Sequence, residues 1–334
     1  MLGYGLAGRV FHAPLIQAEP RTTVTHVVTR DPERRAQVAQ DLPDAQLVDD
    51  PIALWRRGDE YDAVVVATAN PSHVPLATAA LDLGKPTVVD KPLAMTAGAA
   101  ERLATHRPDV PLAVFANRRW DSDTLAAQDL LARGALGDVV RLESRFTRFR
   151  PDVADRWREE PAEGGGILLD LGPHVVDQAL HLLGPAVTVY AEVDTRRSRA
   201  RVDDDCFLAL THASGARSHL WCSLAAPVPG PRLLLQGTRG GWRKDDLDAQ
   251  EAALRTGWTP AAGPVPEPPG RLFDADGERT VDSPPGDWAA FYRGVAATVL
   301  DGSPMPVPAA DGVTVLRVLE AARGSAASRE VVEV

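Results

Sequence analysis

The sequence predicts an α/β chain in two parts. The first is a parallel-sheet domain over residues 1–119, and the second an α+β domain over 120–334 around a large, open, mostly antiparallel sheet. Three observations predict it. "GYGLAG" (3–8) spaces its glycines G-x-G-x-x-G ahead of a helix-like run. The first third then alternates short apolar runs with helix-spaced segments, the pattern of strands joined by crossover helices in a parallel sheet. After about residue 120 the hydrophobic period changes to two, as in antiparallel strands with one packed face.

The elements follow in order. "TTVTHVVT" (22–29) is β-branched and short, and "DPERRAQVAQDL" (31–42) has helix spacing with Pro32 in its first turn. "DAVVVAT" (62–68) is a continuous apolar run, as expected of a strand buried on both faces. "HVPLATAALDLG" (73–84) is a helix closed by Gly84, and "PTVVD" (86–90) and "PLAVFAN" (111–117) are further buried strands. Segments 136–151, 186–197, 204–226 and 232–245 alternate in steps of two, with helices near 122–134 and 173–183 between them. "TPAAGPVPEPPG" (259–270) reads as a loop. In "DWAAFYRGVAATVLDG" an apolar stripe follows Asp287, a candidate N-cap. The helices over 287–325 are expected to pack back on the first domain.

At 334 residues the chain is long enough for about two domains. Its net charge of −10 argues against a nucleic-acid or anionic-membrane partner, so a bound anion must be held by local geometry. Two cysteines, Cys206 and Cys222, are too few for a disulfide framework and read as buried or free thiols. With no leader or long apolar run in this stretch, the expected compartment is the cytoplasm.

In a dinucleotide-binding turn the first glycine allows the tight bend, the second admits the pyrophosphate and the third lets the helix approach the strand. The backbone of Gly3, Gly5, Leu6, Ala7 and Gly8 would face the anion, aided by the helix dipole. Such a turn follows a strand, yet only Met1 and Leu2 precede it, and a few strand residues ahead of Met1 are expected. About 20 residues on, the next strand ends at Thr29-Arg30-Asp31. A neutral tip followed by arginine leaves room and positive charge for a 2′-phosphate, which favours NADP and leaves NAD possible.

"VVDKPLAMT" puts Asp90-Lys91-Pro92 directly after a buried strand, at the sheet edge where ligands bind. A lysine there can stabilise negative charge developing on an oxygen. "EGGGILLDLGPHVVDQALHLLG" (163–184) starts a helix at Pro173. His174 falls in the first turn, with Asp177 and a buried His181 on the same face and Asp170 just before the helix. The helix N-terminus disfavours imidazolium while Asp170 favours it, an arrangement suited to a general base. The 4-3-4 spacing of Asp170, His174, Asp177 and His181 also admits a metal reading. Gly172-Pro173 opposes it by taking Asp170 out of the helix, so no metal site is expected.

In this order and spacing, "GYGLAG", "ATANPSHVPLATAALDLGKPTVVDKPLA" and "GGGILLDLGPHVVDQALHLLG" resemble the Gfo/Idh/MocA oxidoreductases across the whole chain. "NRRWDSD" (117–123) and "ESRFTRFRPDVADRWRE" (143–159) look like a branch that includes NADP-dependent scyllo-inositol dehydrogenases. The resemblance implies a Rossmann domain, then a domain whose sheet mediates a homodimer or homotetramer. It implies Lys91, Asp170 and His174 as the catalytic trio and places Thr68, Asn70, Pro71, His73 and Asp90 beside the cofactor. Asp90 departs from the family's commoner glutamate before Lys-Pro. Candidates for touching substrate are Asn117, Arg118, Trp120, Arg148, Arg150, Trp157 and Asp177, with Arg156 beside them; the arginines read equally well as a solvated strand edge. The expected activity is hydride transfer between a nicotinamide and the hydroxyl or carbonyl carbon of a sugar or cyclitol. Two alternatives are a non-catalytic dinucleotide sensor of the same fold and a metal-dependent lyase or hydrolase using the Asp–His face.

Overall fold

The structure, a computed structural model, describes residues 1–154 and 159–334. Its contacts gather into two units. One comprises 1–117, 250–264 and 287–313, and the other 118–249, 265–286 and 314–334. Two later stretches of chain thus join the first unit, and the long helix Ala309–Ser328 contributes residues to both.

The first unit is a parallel sheet. Strands β1 (His26–Val28) and β2 (Gln46–Val48) pair, and β3 (Val64–Val66), β4 (Thr87–Asp90) and β5 (Leu112–Phe115) form a second ribbon. Leu2 joins the two, bridging Val28 on one side and Val66 on the other. The ladder at this junction is real but short. Leu2 N–H donates to Val65 O at 2.8 Å, Ala67 N–H to Leu2 O at 2.9 Å, and Gly3 N–H to Val28 O at 3.1 Å. Met1 extends the ladder on one side, its carbonyl accepting Val28 N–H at 2.9 Å. A cavity of about 210 Å³, lined in part by Met1, Thr25, His26, Ala63 and Tyr292, lies between the flanking strands. Strands β1, β3, β4 and β5 are buried because helices Pro32–Asp41, His73–Asp82 and Ala97–His106 carry the chain between the strands, while β2 is buried only at Val48.

The helical run after the turn opens as a π-helix, Ala7–His12, before continuing as α-helix Ala13–Gln17. Ala13 N–H donates to Gly8 O, five residues back. Pro14 has no N–H to hold the ordinary i→i−4 register at this point.

The second unit is a nine-stranded sheet. Its strands are β6 (Val139–Thr147), β7 (Ala186–Asp194), β8 (Asp205–His212), β9 (Arg217–Ser223), β10 (Leu233–Gly237), β11 (Gly240–Lys244), β12 (Gly270–Asp274), β13 (Gly277–Val281) and β14 (Val332–Glu333). The order is β13-β12-β11-β10-β6-β9-β8-β7-β14, antiparallel throughout except for the parallel pair β6–β9. Helices Ser122–Ala132 and Gly172–Leu183 cover one face. The other face shows the half-buried members of each alternating strand, among them Phe207, His219 and Trp221. Cys206 and Cys222, buried free thiols, face each other across β8 and β9.

Three details differ from the sequence expectation. β12 and β13 form a hairpin that begins at the end of the supposed loop. Asp287 does not cap its helix; its carboxylate pairs with Arg293 instead, and the helix starts at Ala289. His181 is exposed, with its ring nitrogen 2.6 Å from Gln128 Nε2, because the helix rises from the packed layer toward its end at Gly184.

Candidate active site

Within the first unit, the glycine turn sits where Leu2 joins the two ribbons, so the crossovers leave in opposite directions on its two sides. That is the switch point at which ligands of such sheets bind. Each glycine has a separate geometric reason. Gly3 has φ +90°, and a Cβ there would lie 2.4 Å from Ala67 O. A Cβ on Gly8 would lie 2.5 Å from Gly3 O. Gly5 is open: the nearest atoms to a Cβ there belong to the Arg34 guanidinium, 3.9 Å away. Two glycines make the bend and one leaves the backbone approachable beside a cation. This cradle fits a dinucleotide pyrophosphate, with Leu6 exposed at its rim and Ala7 beginning the helix.

The strand tip beside the turn is built from arginines. Thr29 is buried, and Arg30 is exposed with its Nε donating to Asp49 O at 3.0 Å. Asp31 is spent locally. Its carboxylate caps helix Pro32–Asp41 by accepting the N–H groups of Glu33 (2.9 Å) and Arg34 (3.1 Å), and it lies 3.7 Å from Arg34 Nε.

Lys91 follows β4 in a turn with a cis Lys91–Pro92 bond, and its own N–H donates to Asp90 Oδ1 at 2.8 Å. His73, 1% exposed, ties this turn to the end of β3. Its Nδ1 is 2.8 Å from Pro92 O and its Nε2 3.1 Å from Thr68 O. Asn70 is buried and Pro71 exposed in the short helix Asn70–Ser72 that leads to it. Beneath lie two residues that sequence reasoning missed. His12 is fully buried, with Nδ1 2.6 Å from the Tyr292 hydroxyl and Nε2 3.9 Å from Asp90. Burial holds the His12 imidazole down to about 4, so it is neutral, and burial together with the Asp90 charge pushes the Tyr292 phenol up. His12 lies in the apolar helix next to the turn, and the only signal was a histidine among core positions.

In the second unit, Asp170 ends the short helix Ile167–Asp170 and His174 lies in the first turn of Gly172–Leu183. The His174 ring stacks on Phe146 at 6.0 Å between centroids. Around the same buried phenyl ring stand Arg118 (4.8 Å), Arg148 (5.0 Å) and Arg232 (5.7 Å). Two expected substrate residues have structural partners here. Arg118, 7% exposed, donates to buried Asp121 at 3.0 Å, and Asp177 accepts a bidentate pair from Arg119 at 2.9 and 2.7 Å. Asn117 is buried, Trp120 half-buried and Arg150 exposed. Arg156 and Trp157, also expected near substrate, lie outside the described residues. Among the described residues, no three His, Cys, Asp or Glu side chains gather as a metal-ligand set.

Comparison with known proteins decides the family. Residues 1–116 match the oxidoreductase family with an NAD-binding Rossmann fold, and residues 124–243 match the GFO/IDH/MocA C-terminal domain. The chain belongs to the Gfo/Idh/MocA oxidoreductases. Across 99% of its length it is 33% identical to the NADP(+)-dependent scyllo-inositol 2-dehydrogenase of Bacillus subtilis, of which 94% is covered. It is also 33% identical to inositol 2-dehydrogenase 2 of Saccharopolyspora erythraea, over 64% of this chain and 63% of that one. The solved structure of the Bacillus subtilis yvaA protein superposes with TM-score 0.92 at 33% identity, covering 100% of this chain and 97% of that one. This Gfo/Idh/MocA member is accordingly a nicotinamide-dependent oxidoreductase. Among the described residues, no helix is long and apolar enough to cross a membrane.

Proposed function

We propose that this oxidoreductase is an NADP-preferring dehydrogenase or reductase of sugars or cyclitols that works in the cytoplasm. The observation that carries the cofactor preference is the commitment of Asp31. A carboxylate spent as an N-cap and facing Arg34 is not free for the ribose hydroxyls of NAD. Arg30 and Arg34 meanwhile supply the charge that a 2′-phosphate needs. The substrate class rests on the inositol dehydrogenases among the relatives.

In the proposed reaction the bound nicotinamide supplies the hydride acceptor or donor. His174 takes the proton of the reacting hydroxyl in the oxidative direction and returns it in the reductive one. Lys91 hydrogen-bonds the same oxygen and balances its charge as it becomes a carbonyl. Asp170 orients His174 or holds a neighbouring hydroxyl. The turn bonds of Lys91 N–H to Asp90 and of His73 to Pro92 O support a fixed direction for the lysine stem.

The second unit is proposed to associate through its open sheet face into a homodimer or homotetramer. Phe207 and Trp221 lie 5.1 Å apart there and Arg145 stacks 3.9 Å from the indole, a half-buried aromatic patch of the kind that self-association covers.

The test follows absorbance at 340 nm with NADP or NAD against a panel of inositols, aldoses and deoxy sugars. Turnover is expected with NADP and lost in Lys91→Ala and His174→Ala. Binding of cofactor with no turnover across the panel would favour a sensor, and chelator-sensitive activity would favour a metal enzyme.

A further inference from the structure

The segment "DTRRSRARVDDD" (194–205) links β7 to β8 and carries a buried ionic arrangement that the proposed reaction leaves unused. Asp204, fully buried, opens it. Its carboxylate accepts the N–H groups of Arg196 (2.7 Å) and Arg197 (3.0 Å) and the Nε of Arg197 (2.9 Å). Held by these bonds, the Arg197 side chain is 3% exposed. Its far end reaches out of the link altogether. Nη1 donates to Arg150 O and Asp152 O, both at 3.3 Å, and Nη2 donates to Glu159 Oε2 at 2.8 Å. One guanidinium therefore ties two backbone carbonyls, those of Arg150 and Asp152, to the Glu159 carboxylate.

The gripped segment begins at the His174 end of the unit. Arg148 lies over Phe146, whose ring also stacks on His174, and Arg148 and Arg150 N–H groups donate to Ser223 O and Leu224 O at 2.7 and 2.8 Å. Asp203, next to Asp204, holds the other neighbour of that site. It accepts Leu168 N–H at 2.7 Å at the start of the helix that ends in Asp170, and it packs where Gly166 leaves no room for a Cβ.

Burying a guanidinium is a poor way to gain stability, because the desolvation cost offsets most of the attraction and apolar packing does as well. What apolar side chains cannot do is hold two carbonyls and a carboxylate in fixed register; the planar fork of arginine can. We propose that Arg197, seated on Asp204, is a positioning residue for substrate selection: it holds the backbone of Arg150 and Asp152 against Glu159 so that Arg148 and Arg150 are presented to the polyol beside His174. The inference rests on the reading of His174 as the substrate-facing base.

The experiment compares Arg197→Met and Arg197→Lys with the parent chain by thermal melting, hydrogen exchange of the 148–154 amides, NADPH binding by fluorescence, and steady-state kinetics. Exchange of that segment is expected to rise in both variants. KM for the polyol should rise about tenfold or more, with kcat and the NADPH Kd within about threefold. Arg197→Met leaves Asp204 and Glu159 buried without their cation and should melt lower, so Arg197→Lys, which keeps the charge, is the variant in which the rise in KM is read apart from stability. Unchanged exchange overturns the clasp whether or not the chain turns over. A parent-like KM in a folded variant with raised exchange overturns the role in selection. Absence of turnover in the parent overturns the function reading, and exchange alone then decides the clasp.

Discussion

Glu267→Gln tests the electrostatics of the second unit. Glu267 belongs to a buried cluster in which Arg118, Arg232 and Lys244 meet Asp121, Asp123, Asp248 and Glu267. The acids outnumber the bases by one, and burial raises the carboxyls of both Asp121 and Glu267. The Glu267 side chain is shielded, its Oε2 lies 3.7 Å from Lys244 Nζ, and Ala249 N–H donates to its Oε1 at 2.8 Å. Burial pushes its carboxyl up from 4.5 to about 7, Asp248 and Asp123 adding to the push while Ala249 N–H and Lys244 oppose it. The sign follows from linkage. An acid whose folded value is raised binds a proton that the unfolded chain releases, so folding carries no penalty below pH 4.5 and the full penalty above pH 7. A shift of that size corresponds to about 3 kcal/mol, and the exposed prolines on either side of Glu267 bring it to about 2. Glutamine keeps the shape and the acceptor for Ala249 N–H without the charge. Urea denaturation of parent and variant at pH 5 and pH 8.5 is the assay. The variant should gain about 2 kcal/mol relative to the parent at the higher pH and little at the lower. A difference independent of pH would refute the reasoning.

Three further changes test the first unit and the sheet face. Arg34→Ala should weaken NADPH binding by about 1.5–3 kcal/mol and NADH binding by clearly less, as read by fluorescence titration; equal loss for both cofactors would count against the 2′-phosphate role. Gly8→Ala forces a Cβ to within 2.5 Å of Gly3 O. It should lower stability by about 1–3 kcal/mol in thermal melts and weaken both cofactors together. Trp221→Glu puts a charge into the aromatic patch and should shift the molecular mass in light scattering toward the single chain; an unchanged mass would place the contact elsewhere.

The parallel sheet was legible because its signals are local. A strand buried on both faces must be a continuous apolar run, as in Val64–Val66, and the glycines and prolines that end each element act on their own backbone. The catalytic candidates stood out for the same reason, Lys91 at a strand end and His174 in a first turn. The β12–β13 hairpin was hidden because β13 is almost wholly exposed and has no apolar alternation to read. Its turn lies in "DADGE", just past the proline-rich loop 259–270, in a stretch that received no strand reading.

What the sequence could not supply is the pairing of charges across distance. Asp177 has the spacing of a ligand on the His174 face, yet its partner is Arg119, 58 residues away. Arg118 stands in an apparent substrate motif and is held by Asp121 in the interior. Helix periodicity gives a side chain's azimuth and says nothing of its depth, which is why His181 shares a face with His174 and ends up in solvent. Arginine is the extreme case. The twelve residues of "DTRRSRARVDDD" carry four arginines, and three of them, Arg196, Arg199 and Arg201, are exposed. Arg197 differs through Asp204, which turns it inward before the fork meets Arg150 O, Asp152 O and Glu159. A charge in a polar run becomes a structural element only when a second buried charge fixes its stem, and that condition is written in the tertiary fold.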